Sequence, residues 1–326
     1  MENLNMAELS TTSRPTVARR LVDSIARSVI GKTEAIELVV TGFLAGSHVL
    51  LEDMPGTGKT LLAKSLARSF SGSFKRIQFT SDIMPSDITG NSIFNLKNGE
   101  FEFIPGPIFS NIILADEINR ATPRSQSSLL EVMEENQVTV DGITHTLEQP
   151  FFVIATQNPL ESYGTFPLPE SQLDRFVLSF SMGYPSPEEE AHILQLHREN
   201  TRLHQSRSLH DQLEAVVSAA ELREAQQGVS QVTVSDEVER FLLQIVQATR
   251  QDERLALGGS TRSAVAFLRA AQAYAWLKGR HYVIPDDIKY LAPYVLNHRI
   301  ATRQPTRRPE KMALIQDLAH RVYAQS

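Results

Sequence analysis

Three short apolar runs punctuate the first half of the chain, at His48–Glu52, 112–115 and 151–156. Each is continuously apolar and rich in β-branched or aromatic residues, as strands buried on both faces of a parallel sheet are. Helical stretches lie between them, so residues 16–184 read as an α/β core with a covered sheet. Two other segments carry turn signals inside alternating runs. Residues 93–97 and 100–104 flank Asn98-Gly99, and residues 137–140 and 143–147 flank Asp141-Gly142. Both read as β-hairpins closed by two-residue turns, the first of type I′, added to the core.

The period changes after Tyr184-Pro185-Ser186-Pro187. Ser186 and Glu189 form a capping box with Pro187 at the first helical position. Helical spacing then recurs near 187–200, 211–225, 235–250, 261–278 and 285–297. The expected organisation is a flexible tail over 1–15, a core over 16–184 and a helical domain over 185–326.

Composition narrows the function. The chain of 326 residues is 41% hydrophobic, which suffices for a sizeable core. A net charge of −6 argues against nucleic acid as the main partner. The absence of cysteine excludes disulfides, thiolate metal sites and cysteine nucleophiles. The first dozen residues carry no signal-peptide core, and no apolar run reaches the roughly 18 residues of a membrane span. These features point to the cytoplasm.

The most specific chemistry follows the first run. Asp53-Met54-Pro55-Gly56-Thr57-Gly58-Lys59-Thr60 leads into a helix that opens with Leu61. Strand, glycine-rich loop, Lys-Thr and helix are the setting of a phosphate-binding P-loop. Glycines let backbone N–H groups converge on phosphate oxygens, and the helix N-terminus adds partial positive charge. Lys59 is expected on the β- and γ-phosphates of ATP, with the Thr60 hydroxyl on Mg²⁺. Asp53 stands where the usual pattern has glycine. Asp tolerates a left-handed backbone, and its carboxylate is expected to point away from the phosphates.

The second run ends in Asp116-Glu117. Strand ends at the carboxyl edge of such a sheet face the ligand crevice. Asp116 is expected in the Mg²⁺ shell through water, and Glu117 as the base that activates the attacking water. The third run ends at Gln157-Asn158-Pro159, where the Asn158 amide is placed to hold that water; a turn asparagine before proline is the alternative.

Taken together, these residues resemble the MoxR family of AAA+ ATPases over roughly 29–300. The segments that carry the resemblance are Val29-Ile30-Gly31, 54–60, Pro85-Ser86-Asp87-Ile88-Thr89-Gly90 and Gly106-Pro107-Ile108-Phe109. Ala115-Asp116-Glu117-Ile118-Asn119-Arg120-Ala121 follows, running on through 126–131. Then come Ala155-Thr156-Gln157-Asn158-Pro159, Leu168-Pro169-Glu170 and Gln172-Leu173-Asp174-Arg175-Phe176. The resemblance implies an AAA+ αβα sandwich with a helix-2 insertion hairpin, a second hairpin before sensor 1, and an all-helical lid domain. It implies nucleotide contacts from Ile30, Gly31, Pro55, Gly56, Thr57, Gly58, Lys59, Thr60, Leu61 and Asp116, with Asn158 as sensor 1.

Two arginines stand out. Arg175 matches the arginine finger that reaches a neighbouring subunit's γ-phosphate; a surface ion pair with Glu170 or Asp174 is the alternative. For Arg262 the argument is physical. Thr261 reads as the N-cap of a long helix, which puts a cation in the first turn, against the helix dipole, at a cost of about 0.3–1 kcal/mol. An anion there, ATP phosphate, removes the conflict, and the resemblance agrees by matching Arg262 to sensor 2. Arg120 follows the acidic pair and is a further candidate for contact with nucleotide or a neighbour. His48 and His145 read as packing or solvent residues. Arg299, Arg303, Arg307, Arg308 and Lys311 read as a solvated basic end.

The expected function is Mg²⁺-dependent ATP hydrolysis by a homo-oligomer, a hexamer in the family, that remodels or matures a partner protein. The resemblance suggests a partner with a von Willebrand factor A domain. This chain has no Asp-x-Ser-x-Ser stretch, so such a partner is expected to be a separate polypeptide. A nucleic-acid motor, a metal-chelatase motor subunit and a nucleotide switch are the competing readings.

Overall fold

The computed structural model of the chain describes residues 14–97, 99–158, 164–202 and 209–325. Two helices open it, α1 (Arg14–Ala26) and α2 (Thr33–Leu44), followed by β1 (His48–Glu52), α3 (Lys59–Phe70), β2 (Phe74–Gln78) and α4 (Pro85–Thr89). The hairpin β3 (Gly90–Asn95) and β4 (Glu100–Pro105) leads to β5 (Ile112–Asp116) and α5 (Pro123–Glu135). A second hairpin, β6 (Gln137–Val140) and β7 (Ile143–Thr146), leads to β8 (Phe152–Gln157), α6 (Glu170–Leu173) and β9 (Phe176–Phe180). The remainder is α7 (Pro187–Arg202), α8 (Ala219–Val229), α9 (Asp236–Gln251), β10 (Leu255–Leu257), α10 (Thr261–Leu277), α11 (Pro285–Leu296), β11 (Ala301–Thr302) and α12 (Arg308–Gln325). Of the expected tail, 1–13 lie outside the described residues, and Arg14 and Pro15 already belong to α1.

The five-stranded sheet is parallel, in the order β2-β5-β8-β1-β9. The three expected strands are its centre, so their carboxyl ends converge. The two edge strands were not singled out by pattern. β2 fully buries only Ile77 of its five residues and carries Lys75 and Arg76, so it lacks an apolar run. β9 is buried throughout, because α11 packs against it and covers that edge. Alternate residues of the central strands feed two apolar clusters. Leu51 and Ile154 face α2, α3 and the later helices, while Leu50, Val153 and Ala115 face α5.

The two hairpins differ. In the second, Val140 pairs with Ile143, and Asp141 and Gly142 both have positive φ (50° and 79°), as a type I′ turn requires. In the first, Asn95 pairs with Glu100, so the connection is four residues long rather than Asn98-Gly99 alone. The Asn95 side chain accepts the Lys97 N–H at 2.9 Å, and the Asn95 carbonyl accepts the Gly99 N–H at 2.8 Å, which ends the ladder early. Asn98 itself lies outside the described residues. His145 stacks on Phe103 with ring centroids 4.1 Å apart, so the hairpins pack on each other.

Beyond Pro187 the expected helices appear, with one correction. Residues 211–225 do not form one helix; α8 starts only at Ala219. Val216 and Val217 donate to the Ser69 carbonyl at 2.8 and 3.1 Å, which holds them out of a helix. The Ser218–Glu221 capping box then sets the start. A short antiparallel ribbon, β10 with β11, joins the later helices. Trp276 of α10 occupies the space that a side chain on Gly228 of α8 would need.

The basic end is not wholly solvated. α12 folds back on α9 and α11. Arg299 is buried, Lys311 is half-buried, and Arg308 pairs with Glu52 at 2.7 Å with both side chains largely covered.

His48 is a buried packing residue. Its Nδ1 accepts the Val153 N–H at 3.0 Å, and its Nε2 meets the Met133 carbonyl at 3.1 Å. Burial pushes its pKa from 6.5 down to about 4. The group is neutral when folded, and the unfolded chain takes up the proton first as pH falls. Stability from this residue is therefore present above pH 6.5 and lost between 6.5 and 4, about 2 kcal/mol of it by pH 5. Urea unfolding at pH 7 and pH 5 should show that loss in the wild type and a smaller one in His48→Gln.

Candidate functional site

The loop between β1 and α3 has its left-handed positions at Gly56 (φ 85°) and Gly58 (φ 94°), where a side chain would be strained. Gly58 is the N-cap of α3, so Lys59, Thr60 and Leu61 form its first turn. Lys59 is 9% exposed, with its Nζ donating to the Asp53 carbonyl at 3.1 Å, folded over the loop.

Asp53 shows why glycine is dispensable there. Its φ is not positive, so the position needs no left-handed tolerance. Its carboxylate points away from the loop, as expected, and accepts from Ser181 Oγ (2.6 Å), Met182 N (2.6 Å) and Gly183 N (3.2 Å). The aspartate thus ties the loop to the segment after β9. Hydrogen bonds to a charged group contribute about 1.5–3 kcal/mol each. Asp53→Gly, which restores the usual loop residue, should therefore destabilise the chain by about 3 kcal/mol in urea unfolding rather than improve it.

Beside this loop lies a pocket of about 370 Å³ whose walls include Ile30, Gly56, Thr57, Gly58 and Leu61. Pro185 and the α7 residues Ile193, Leu196 and His197 close it. Its mostly apolar lining beside a phosphate loop suits a nucleoside. Gly31 lets the loop after α1 approach the cap of α7, because a side chain there would strike the Glu189 carboxylate. That carboxylate accepts the Ser186 N–H at 2.7 Å, completing the capping box. The α7 wall was missed from sequence, although the 193, 196, 197 spacing is that of one helix face.

At the carboxyl end of the sheet, Asp116 is 7% exposed. Its Oδ1 accepts from Thr156 Oγ1 at 2.6 Å, and its Oδ2 accepts from Arg76 Nη2 and Nε at 2.6 and 3.1 Å. Thr156 also accepts the Glu117 N–H at 2.9 Å. This bridge holds Glu117 in a left-handed conformation (φ 57°), which costs on the order of 1–3 kcal/mol. The Glu117 carboxylate meets Gln78 Nε2 at 3.0 Å and Arg120 Nε at 3.1 Å. Arg120 therefore pairs with the acidic end. Asn158 follows β8, largely buried, between the ends of β5 and β1; Pro159 lies outside the described residues. Thr156, Arg76 and Gln78 were not singled out from sequence. Thr156 ends an apolar run, and β2 had no pattern to mark it.

Arg175 and Arg262 are not among the residues lining the phosphate-loop pocket. Both line a second cavity, of about 500 Å³, together with His48, Glu134, Asn136 and Arg269. Arg175 Nη2 lies 2.9 Å from Glu134 Oε2, so its ion pair is with neither Glu170 nor Asp174. Arg262 sits in the first turn of α10, but the cap is Ser260 rather than Thr261, with Ser263 N donating to Ser260 Oγ at 3.1 Å.

Among the described residues, no helix is long and apolar enough to cross a membrane. Residues 48–178 match the ATPase family associated with various cellular activities (AAA), and residues 247–318 match the AAA lid domain. The chain is 50% identical to protein YeaC of Bacillus subtilis over 281 residues, 86% of each chain. It is 39% identical to Chaperone MoxR1 of Mycobacterium tuberculosis over 290 residues, 86% of this chain and 74% of that one. A crystal structure from Cytophaga hutchinsonii, of a protein assigned as an ATPase, superposes with a TM-score of 0.84 at 36% identity. That match covers 95% of this chain and 96% of the other.

Proposed function

We propose that this chain, which belongs to the MoxR family of AAA+ ATPases and hydrolyses ATP, does so in a ring of identical subunits in which each active site is completed by the next subunit. The observation that carries this reading is the separation of the machinery. The phosphate loop borders one pocket, whereas Arg175 and Arg262 border another. Two arginines gathered on a face apart from their own phosphate loop are placed to serve a neighbour's.

In this reading the Gly56–Gly58 backbone and Lys59 bind the phosphates, and the apolar wall of Ile30, Leu61, Ile193 and Leu196 takes the nucleoside. Thr60 and Asp116 offer hard oxygen donors of the kind Mg²⁺ prefers, the carboxylate through water. When bound, the ion neutralises charge on the phosphates. Glu117 takes the proton of the attacking water, and Asn158 orients that water. Arg175 and Arg262 from the adjacent subunit offset the charge that builds up on the γ-phosphate.

The work driven by this cycle is remodelling of a partner protein, in keeping with the chaperone name of the mycobacterial relative. The β3–β4 hairpin suits such contacts, with Leu96 89% and Phe101 74% exposed. A separate protein with a von Willebrand factor A domain is the partner class the family suggests.

The test is Mg²⁺-dependent ATP turnover per subunit across protein concentrations, with Glu117→Gln as the blank. Turnover that rises as monomers assemble and vanishes in the blank is the expected result. Turnover that stays flat through the monomer-to-oligomer transition would rule out a shared site.

A further inference from the structure

Asp174 directly precedes Arg175, and its side chain serves two parts of the helical domain. Its Oδ1 accepts from Arg299 Nε at 2.8 Å, and its Oδ2 accepts from Ser260 Oγ at 3.3 Å. Arg299 is 4% exposed, and its remaining N–H groups meet backbone carbonyls. Nη1 donates to Val177 O (3.1 Å) and Val295 O (2.6 Å), and Nη2 to Asp174 O (3.1 Å) and Phe176 O (2.6 Å). Together with Nε this makes five bonds, the full capacity of a guanidinium. The carbonyls on both sides of Arg175 are therefore held by one buried side chain from the segment after α11.

The other branch leads to Arg262. Ser260 caps α10, and Arg262 stands two residues further on. Residues 258–260 are themselves fixed, with Gly259 N donating to Thr249 Oγ1 at 2.9 Å and Gly259 O accepting from Arg250 Nε at 2.7 Å. One carboxylate thus joins the backbone beneath Arg175 to the cap beneath Arg262. Burial draws Arg299 down to about 10, still a cation at neutral pH, so its ion pair with Asp174 persists there.

We propose that Asp174 and Arg299 are positioning residues that fix the spacing between Arg175 and Arg262, so that both reach the same phosphate group. The inference rests on the shared-site reading above. A lysine at 299 has three donors on one point and cannot bracket two carbonyls and a carboxylate at once. Displacing a catalytic group by about 1 Å costs roughly 10²-fold in rate, which sets the expected effect.

The test uses Asp174→Asn, which keeps the size of the side chain and removes its charge. kcat should fall by roughly 10²-fold with KM for ATP within about twofold, because the variant's own phosphate loop is intact. Mixed with Glu117→Gln chains, whose arginine face is intact and whose own site is silent, turnover should return. Arg175→Ala mixed with the same chains is the control. Recovery in the control without recovery in Asp174→Asn overturns the positioning role and leaves the shared site standing. Wild-type kcat in Asp174→Asn alone also overturns it. Failure of both mixtures removes the shared site and this inference with it. Should Asp174→Asn lose ATP binding, Arg299→Lys decides by the same readings.

Discussion

Replacing Arg175 with alanine is expected to slow ATP turnover by at least about 10³-fold while leaving ATP affinity within about twofold. The size follows from what a guanidinium does for phosphoryl transfer in a water-poor site, where charge accumulates on the γ-phosphate oxygens only in the transition state. The retained affinity follows from placement, because the residue lines a cavity that the phosphate loop does not share. A surface ion pair with Glu134 would predict almost no change, since half-exposed pairs contribute about 0–1 kcal/mol. Steady-state turnover and equilibrium binding of a fluorescent ATP analogue separate the two. Equal turnover in variant and wild type would leave Arg175 as the partner of Glu134 and nothing more.

Glu117→Gln is the second large effect. Removing a positioned base costs about 10²–10⁴-fold in the chemical step. The isosteric amide keeps the size of the carboxylate, and the backbone N–H bond to Thr156 is untouched. The variant should therefore fold, bind ATP and hold it. Rapid-quench measurement of a single turnover should show nucleotide bound and uncleaved over many wild-type cycles. A burst of product equal to wild type would move the base elsewhere.

Much of this site was legible because its parts obey local rules. A glycine-rich loop between strand and helix, two carboxylates ending an apolar run, and a cation set against a helix dipole can each be read within about ten residues. The parts that were missed depend on strand order and chain return. Arg76 meets Asp116 only because β2 lies beside β5, and β2 carries no apolar pattern to announce it. Arg299 and Arg308 look like a solvated basic tail until α11 packs on β9 and brings Arg299 to Asp174, and α12 turns back along α9 and α11 with Arg308 on Glu52. The Asp53 carboxylate points away from the loop as expected, but the three donors that receive it come from 128 to 130 positions away. The first hairpin's turn was misjudged because an Asx bond from Asn95 competes with the Asn-Gly signal.

The single tryptophan of the chain gives it an optical handle. Trp276 is buried on the same helix that carries Arg262 near its start, with its indole wedged over Gly228 and edge-on to His281 at 5.7 Å. Its emission therefore reports on the packing of α8 and α10, while a nucleotide analogue reports on the phosphate-loop pocket. Any rearrangement that the cycle imposes on α8 and α10 can be timed on unlabelled protein, in the same cuvette and against the same clock as the chemistry.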